Sequence, residues 1–373
     1  MIDHVDTLII GGGIIGHSIS YYLNKSGVST LVVEKSSSGS KATRAAAGML
    51  GVHTENKKAS EFHKLCESSR NLYKELSKEL RNLTSIDIGL SEYGMLEIAV
   101  DSEHEKELAA KKEEFPDLEW ITANEVKDRI PSLINSRGAL LMREDGHVEP
   151  AKSCEAFKRA AFFYGGRLIE NNTVLGIEKV KEGYQVQLET GTLIAERIVV
   201  ASGADSGRWF ESTGLENPMV PTKGECFSLF PARQYFKETL FFRNFYLVPK
   251  LDGRYLIGAT SISGDSSTTT TGGGLASLMN EVFSVLPDLQ NEPFLGCWSG
   301  IRPGSVDGSP IIGEHPNLPG FYFATGHYRN GILLAPVTGQ MLRDLIVENE
   351  VPYPSKEMLS PERFATHERR ITL

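Results

Sequence analysis

Residues 7–16 read TLIIGGGIIG, and no other stretch restricts the possible fold as strongly. Thr7-Leu8-Ile9-Ile10 is β-rich and lacks polar alternation, the pattern of a strand buried on both faces. Gly11, Gly13 and Gly16 then supply G-x-G-x-x-G. Helical spacing comes next, with Ile15, Ile19, Tyr22 and Leu23 along it and Gly27 as the stop. A second short strand, Thr30-Leu31-Val32-Val33, ends on Glu34. In such a unit the first glycine permits a tight turn, the second lets backbone approach a pyrophosphate, and the third lets helix and strand pack closely. Phosphates rest on the helix N-terminus, where unpaired N–H groups and the dipole favour negative charge. Glu34 lies 18 positions after Gly16, close to the ~20 expected of a carboxylate that accepts from ribose hydroxyls. The strand–turn–helix setting makes this otherwise weak motif a dinucleotide site.

Beyond Glu34 the chain does not continue as βα repeats. SSSGSKATRAAAGML is small and loop-like, and Ala45 to Gly48 can let backbone approach a flat ring. A long amphipathic helix is predicted from about Ser60 to Leu83, with Phe62, Leu65, Leu72, Leu76 and Leu80 on a core-packing face. Gly94 to Ala99 reads as a strand, and Thr122 to Glu125 as a capping box opening a short helix that ends near Pro131. Another helix is predicted at Ala151 to Tyr164. Short strands come next at Val174 to Val180, Tyr184 to Glu189 and Leu193 to Ala195, and a buried one at Ile198 to Ala201. GECFSLF, FYLVPK and RYLIGAT alternate and point to a second, antiparallel sheet. The Gly264 to Gly274 segment reads as a flexible solvated connector.

Composition narrows the partners. The 373 residues carry 39 Lys+Arg against 48 Asp+Glu, a formal net charge of −9. Nothing in that balance suggests nucleic acid or an anionic membrane, and an anionic substrate must be met by local cations. The four cysteines lack disulfide or metal-ligand spacing, so no metal is expected. MIDHVDTLIIGGG lacks the form of a signal peptide, and no apolar run approaches the ~18 residues that cross a bilayer, which predicts a soluble, cytoplasmic protein.

Together, LIIGGGIIG with Glu34, AAAGML at 45–50, GIRPGSVDGSPIIG at 300–313 and GHYRNGILLAP at 326–336 resemble the D-amino-acid-oxidase-like family of FAD-dependent amine oxidases. HVEP, TKGEC, YLVP and GAT bring the chain nearest to that family's glycine-oxidising branch, which serves thiamine biosynthesis. The resemblance implies an α/β fold: a Rossmann-like FAD-binding domain of discontinuous segments (1–85, 145–220 and 300–373), with a mainly antiparallel α+β substrate domain (86–144 and 221–299). It implies FAD contacts at Gly11, Gly13, Ile14, Ile15 and Gly16, at Glu34 and Lys35, and at Ala42, Thr43, Ala47, Gly48 and Met49. Further FAD contacts are implied at Val174 and at His327, Tyr328, Arg329, Asn330, Gly331, Ile332 and Leu333. Gly331 would open a helix whose positive end faces the flavin pyrimidine, where reduction builds negative charge.

Arg302, between glycines and beside Pro303, is the expected carboxylate clamp, since a guanidinium grips a carboxylate with two parallel hydrogen bonds. Tyr246 resembles the tyrosine that donates to the same carboxylate, and Arg329 can face the substrate. No protein general base is expected: the amine lone pair drives hydride from Cα to flavin N5, and O2 is reduced to H2O2. The imine is released as glyoxylate or passed to a thiazole synthase. Noncovalent FAD and a homo-oligomer, a tetramer in the family, are further implications. His53 and His147 are expected to be structural. Cys297 is expected to be buried and inert, although sarcosine oxidases attach FAD through a cysteine in about this stretch. Ser261 stands where a larger apolar residue can line the pocket. The competing readings are a sarcosine or N-methyl amino acid oxidase, a D-amino acid dehydrogenase with another acceptor, and a non-enzymatic flavin-binding protein.

Overall fold

The computed structural model describes residues 3–56, 58–349 and 356–365. Two large sheets organise them. The first has the strand order Ile311–Glu314, Phe321–Thr325, Gly191–Val200, Asp3–Ile10, Thr30–Val33, Arg167–Ile169. All neighbours are parallel except the first pair. Ile9 lies between Val199 and Val32, so the apolar run of the opening motif is covered on both sides within the sheet. The antiparallel pair Val174–Val180 and Gly183–Leu188 joins along Gly191–Val200. Leu193–Ala195 and Ile198–Ala201, predicted as separate strands, are one strand. Glu196 and Arg197 are polar because they sit on its accessible stretch, not because the chain turns there.

Helix Ile14–Lys25 packs against Pro150–Phe163 and Gly331–Val347. The long helix, expected from about Ser60, runs Glu61–Thr84 with Ser60 as its cap: the Ser60 hydroxyl accepts from His63 N–H at 3.1 Å. The Thr122–Glu125 capping box forms in both directions.

The second sheet is mainly antiparallel, with Met219–Leu229, Tyr255–Gly258, Tyr246–Pro249 and Thr239–Phe241 followed by Met95–Ala99, Gly138–Met142 and Glu119–Thr122. Its longest ladder pairs Met219–Leu229 with Phe294–Ser305. That second strand hides in the sequence behind Gly300, Pro303 and Gly304. It tolerates the proline because Pro303 faces Pro221 across the ladder. The predicted flexible connector is also shorter than expected: Thr271 caps a helix at Gly272–Val285 by accepting from Gly274 N–H. No helix among the described residues is long and apolar enough to cross a membrane.

Candidate functional site

A cavity of about 1490 Å³ runs from the glycine-rich turn of the first sheet to the Met219–Leu229/Phe294–Ser305 ladder of the second. At the first end, Gly11 adopts φ +112°, and a β-carbon there would lie 2.5 Å from the Ala201 carbonyl oxygen. Gly13 faces open space: among the described residues only Thr43 Oγ1 lies near a β-carbon built there, at 3.4 Å. A side chain at Gly13 would therefore occupy the cavity. Glu34 Oε2 accepts from Gly12 N–H at 2.7 Å and Oε1 from Ser36 N–H at 2.9 Å. Thr43 reaches back to accept from Ile14 N–H at 3.1 Å, satisfying one free donor of the helix start. Lys35 pairs with Asp205 at 2.5 Å.

Gly11, Gly13, Ile14, Ile15, Glu34, Lys35, Ala42, Thr43, Ala47, Gly48, Met49 and Val174 all line the cavity. So do His327, Tyr328, Arg329, Gly331 and Ile332, together with Arg302 and Tyr246. Gly16, Asn330 and Leu333 do not. A β-carbon on Gly16 would sit 2.0 Å from Gly11 O, so this glycine serves helix–strand packing. The Asn330 N–H closes the turn onto His327 O, and Leu333 is buried in the core. Ser261 is exposed and lies outside the cavity wall. Cys297 is exposed rather than buried, and it lines the cavity. Of the two histidines expected to be structural, His147 is buried against Thr239 and His53 stacks edge-on against Phe115.

The wall that would face a flat ring is held by side chains that sequence reading missed. Lys250, 4% exposed, donates to Ala47 O at 2.7 Å and to Val148 O at 2.9 Å, and burial pushes its pKa down to about 8. Trp298 Nε1 donates to Ala45 O at 3.1 Å. Ala47 and Ala45 each lie more than 200 residues away in sequence from the side chain that holds them, so no local pattern announces these bonds.

At the second end, the Arg302 guanidinium lies against Gly224. A β-carbon there would meet its Nη2 at 2.5 Å and its Cζ at 2.6 Å. Arg302 Nη1 donates to Thr260 O at 3.2 Å and to Lys223 O at 3.5 Å. These acceptors fix its place without neutralising its charge. Tyr246 is buried with its hydroxyl 3.9 Å from Cys226 Sγ, and burial holds its pKa above the usual phenol value, so the hydroxyl keeps its proton. Arg329 Nε donates to Glu55 Oε2 at 2.7 Å, which raises the arginine's pKa further. Tyr328 takes φ +49°, a left-handed conformation that tertiary contacts must impose. His327 is buried, its ring on Thr338 Oγ1 at 3.0 Å, and burial lowers its pKa to about 3, so it is neutral.

The Gly264–Gly274 segment reaches this end, with Ser266 and Thr268 in the cavity wall. It is tied down from beneath. Glu225, fully buried, accepts from Thr271 N–H at 2.7 Å and pairs with buried Lys223 at 3.3 Å. Thr268 O accepts from the Ser299 hydroxyl at 2.6 Å.

Residues 6–345 match the family described as DAO, FAD dependent oxidoreductase. A glycine oxidase of Bacillus licheniformis is 41% identical over 96% of this chain and 97% of its own length. The crystal structure of glycine oxidase from Geobacillus kaustophilus superposes with a TM-score of 0.94 at 35% identity, covering 98% of this chain and all of that one. A bifunctional ThiO/ThiG protein of a Nostoc species is 32% identical over 92% of this chain, which spans 53% of that longer protein.

Proposed function

Because the chain belongs to the DAO family of FAD-dependent oxidoreductases and is an FAD-dependent amino acid oxidase, we propose that it oxidises glycine and the similarly small sarcosine and D-alanine. The observation that carries this reading is Arg302, paired with no carboxylate among the described residues, beside the protonated Tyr246 hydroxyl at one end of a cavity whose other end is a glycine-rich strand–helix turn. Arg302 and Tyr246 hold the substrate carboxylate. FAD fits the other end: the space left open at Gly13, the Glu34 carboxylate and the Ala45–Gly48 wall meet its phosphates, ribose and ring. When bound, FAD would supply the hydride-accepting and O2-reducing chemistry, with H2O2 as the product. The first sheet and its helices serve the cofactor and the second sheet the substrate; the boundary expected at 300 moves past Ser305, because Phe294–Ser305, which carries Arg302, is one strand of the second sheet.

The protein supplies orientation and desolvation rather than a base. Glu55 is engaged by Arg329, and the His327 ring is turned to Thr338. The Lys250 and Trp298 bonds keep the Ala45–Ala47 backbone in place. The imine formed from glycine is released and hydrolysed by water to glyoxylate and ammonia, or goes to thiazole synthesis, a route supported by the ThiO/ThiG relative. We place the enzyme in the cytoplasm as a homo-oligomer.

An oxygen electrode with peroxide detection tests this. Glycine, sarcosine and D-alanine should be turned over, with L-alanine near background. Arg302 and the ring together fix which Cα hydrogen faces the acceptor, so comparable rates with L- and D-alanine would sink the assignment. We read FAD as noncovalent. Since Cys297 is exposed to the cavity, acid precipitation decides: yellow colour should stay in solution, and a yellow pellet would mean a covalent link.

A further inference from the structure

We propose that Glu55 sets the substrate range: by pairing with Arg329 it withholds a second cation from the Arg302–Tyr246 end of the cavity and confines the site to amino acids with one carboxylate. The inference rests on Arg302 being the carboxylate anchor.

Of the five arginines that line the cavity, Arg302 and Arg329 are the two that stand by Tyr246. Tyr246 lies near enough to both that each bears on its ionisation. A cavity with two free guanidiniums beside one tyrosine would favour a dianion, such as an amino acid carrying a second carboxylate on nitrogen or on its side chain. The two are not equally free. Arg302 spends hydrogen bonds on neutral carbonyls and keeps its charge for a ligand. Arg329 is matched by a carboxylate of its own at 2.7 Å, with the Glu55 side chain only 14% exposed. A second carboxylate arriving at Arg329 would have to displace or lie beside that anion, which costs repulsion in a partly dry site.

Glu55 is held for this role rather than resting there by chance. It ends the short helix Val52–Glu55, whose His53 N–H donates to Asp145 Oδ2 at 3.1 Å. Asp145 is fully buried and pairs with Arg70 Nη1 at 2.9 Å. Asn56 closes the helix by donating to Val52 O at 2.7 Å. The specificity element is thus anchored by a buried ion pair that takes no part in the cavity, and Glu55 acts on the substrate only through Arg329.

Glu55→Gln removes the charge and nearly keeps the shape. The readouts are ratios: dissociation constants of malonate against acetate from flavin absorbance, and kcat/KM of iminodiacetate against glycine. Both should move toward the dicarboxylate by about tenfold or more, while Glu55→Asp stays close to wild type. Adding Arg329→Gln to Glu55→Gln should abolish the gain. Unchanged ratios in a yellow, folded Glu55→Gln overturn the inference, and so does a gain that survives loss of Arg329. If Glu55→Gln does not fold, Glu55→Ser carries the same ratios: a shift of about tenfold or more toward the dicarboxylate supports the inference, and unchanged ratios overturn it. A wild-type enzyme that responds to neither acetate nor glycine overturns the Arg302 reading itself, and this inference with it.

Discussion

Arg302 and Gly224 make a matched pair at the level of single residues. The guanidinium lies where any β-carbon at position 224 would have to be, 2.5 Å from Nη2. What such a carbon meets is the end of a flexible side chain, so Gly224→Ala should move Arg302 rather than unfold the strand. The expected result is a raised KM for glycine with melting temperature and FAD content nearly unchanged. Arg302→Lys should act in the same direction and more strongly. It keeps the charge but loses the two-pronged grip, on the order of 2–4 kcal/mol. An unchanged KM in both variants would pass the anchor role to Arg329. Arg302 and Tyr246 were legible as candidates because their types and neighbours carry a chemical meaning, and both line the cavity. Gly224 was legible only as part of a strand, because its partner is set by register, with Thr222 opposite Arg302. Glu55 gave no signal: the residue that explains it lies 274 positions away.

Among the elements, helix Gly331–Val347 shows how a local reading can be right about existence and blind to cost. The run GILLAP reads as a helix onset, yet Pro336 has no N–H to give the Ile332 carbonyl one turn earlier. The long helix Glu61–Thr84 repairs the break. The Tyr73 hydroxyl donates to Ile332 O. The Ser69 hydroxyl donates to Leu333 O at 2.6 Å and accepts from Val337 N–H at 3.3 Å, standing in for the next rung. This explains why two polar residues, Ser69 and Tyr73, sit buried in a helix whose predicted core-packing face named only apolar residues. Tyr73→Phe should therefore leave a buried carbonyl unpaired and cost about 1–3 kcal/mol. Denaturant unfolding would measure that loss, and a variant as stable as wild type would show that the carbonyl finds another donor. The strand Phe294–Ser305 is the converse case: its glycines and proline argued against a strand, and only the partner strand makes them acceptable.

On the scale of the whole molecule, the same burial that builds the two sheets keeps histidines neutral in separate places. Burial lowers the pKa of His17 to about 4 and those of His147 and His327 to about 3, each from 6.5. His63 and His315 shift in the same direction for the same reason. In the unfolded chain these rings take up protons as pH falls through 6.5, while the folded state refuses them until far lower pH. Their contribution to stability is therefore complete above that value. It declines as pH falls toward the folded values, at roughly 1.4 kcal/mol per pH unit for each fully buried ring. Carboxylates such as Glu97, held below the ordinary 4.5, against its burial, by His104 and then Lys111, add their own loss only in more acidic solution. The interval from about pH 6.5 to about pH 5 thus isolates the histidines. Urea unfolding with FAD in fixed excess should show stability falling steeply across it. His147, outside the cavity wall, provides the internal check. His147→Asn should lower stability at neutral pH through lost packing, yet flatten the acid slope by the share of one proton. A slope equal to wild type would mean that His147 is not held neutral by its burial, and that the acid sensitivity belongs to other groups.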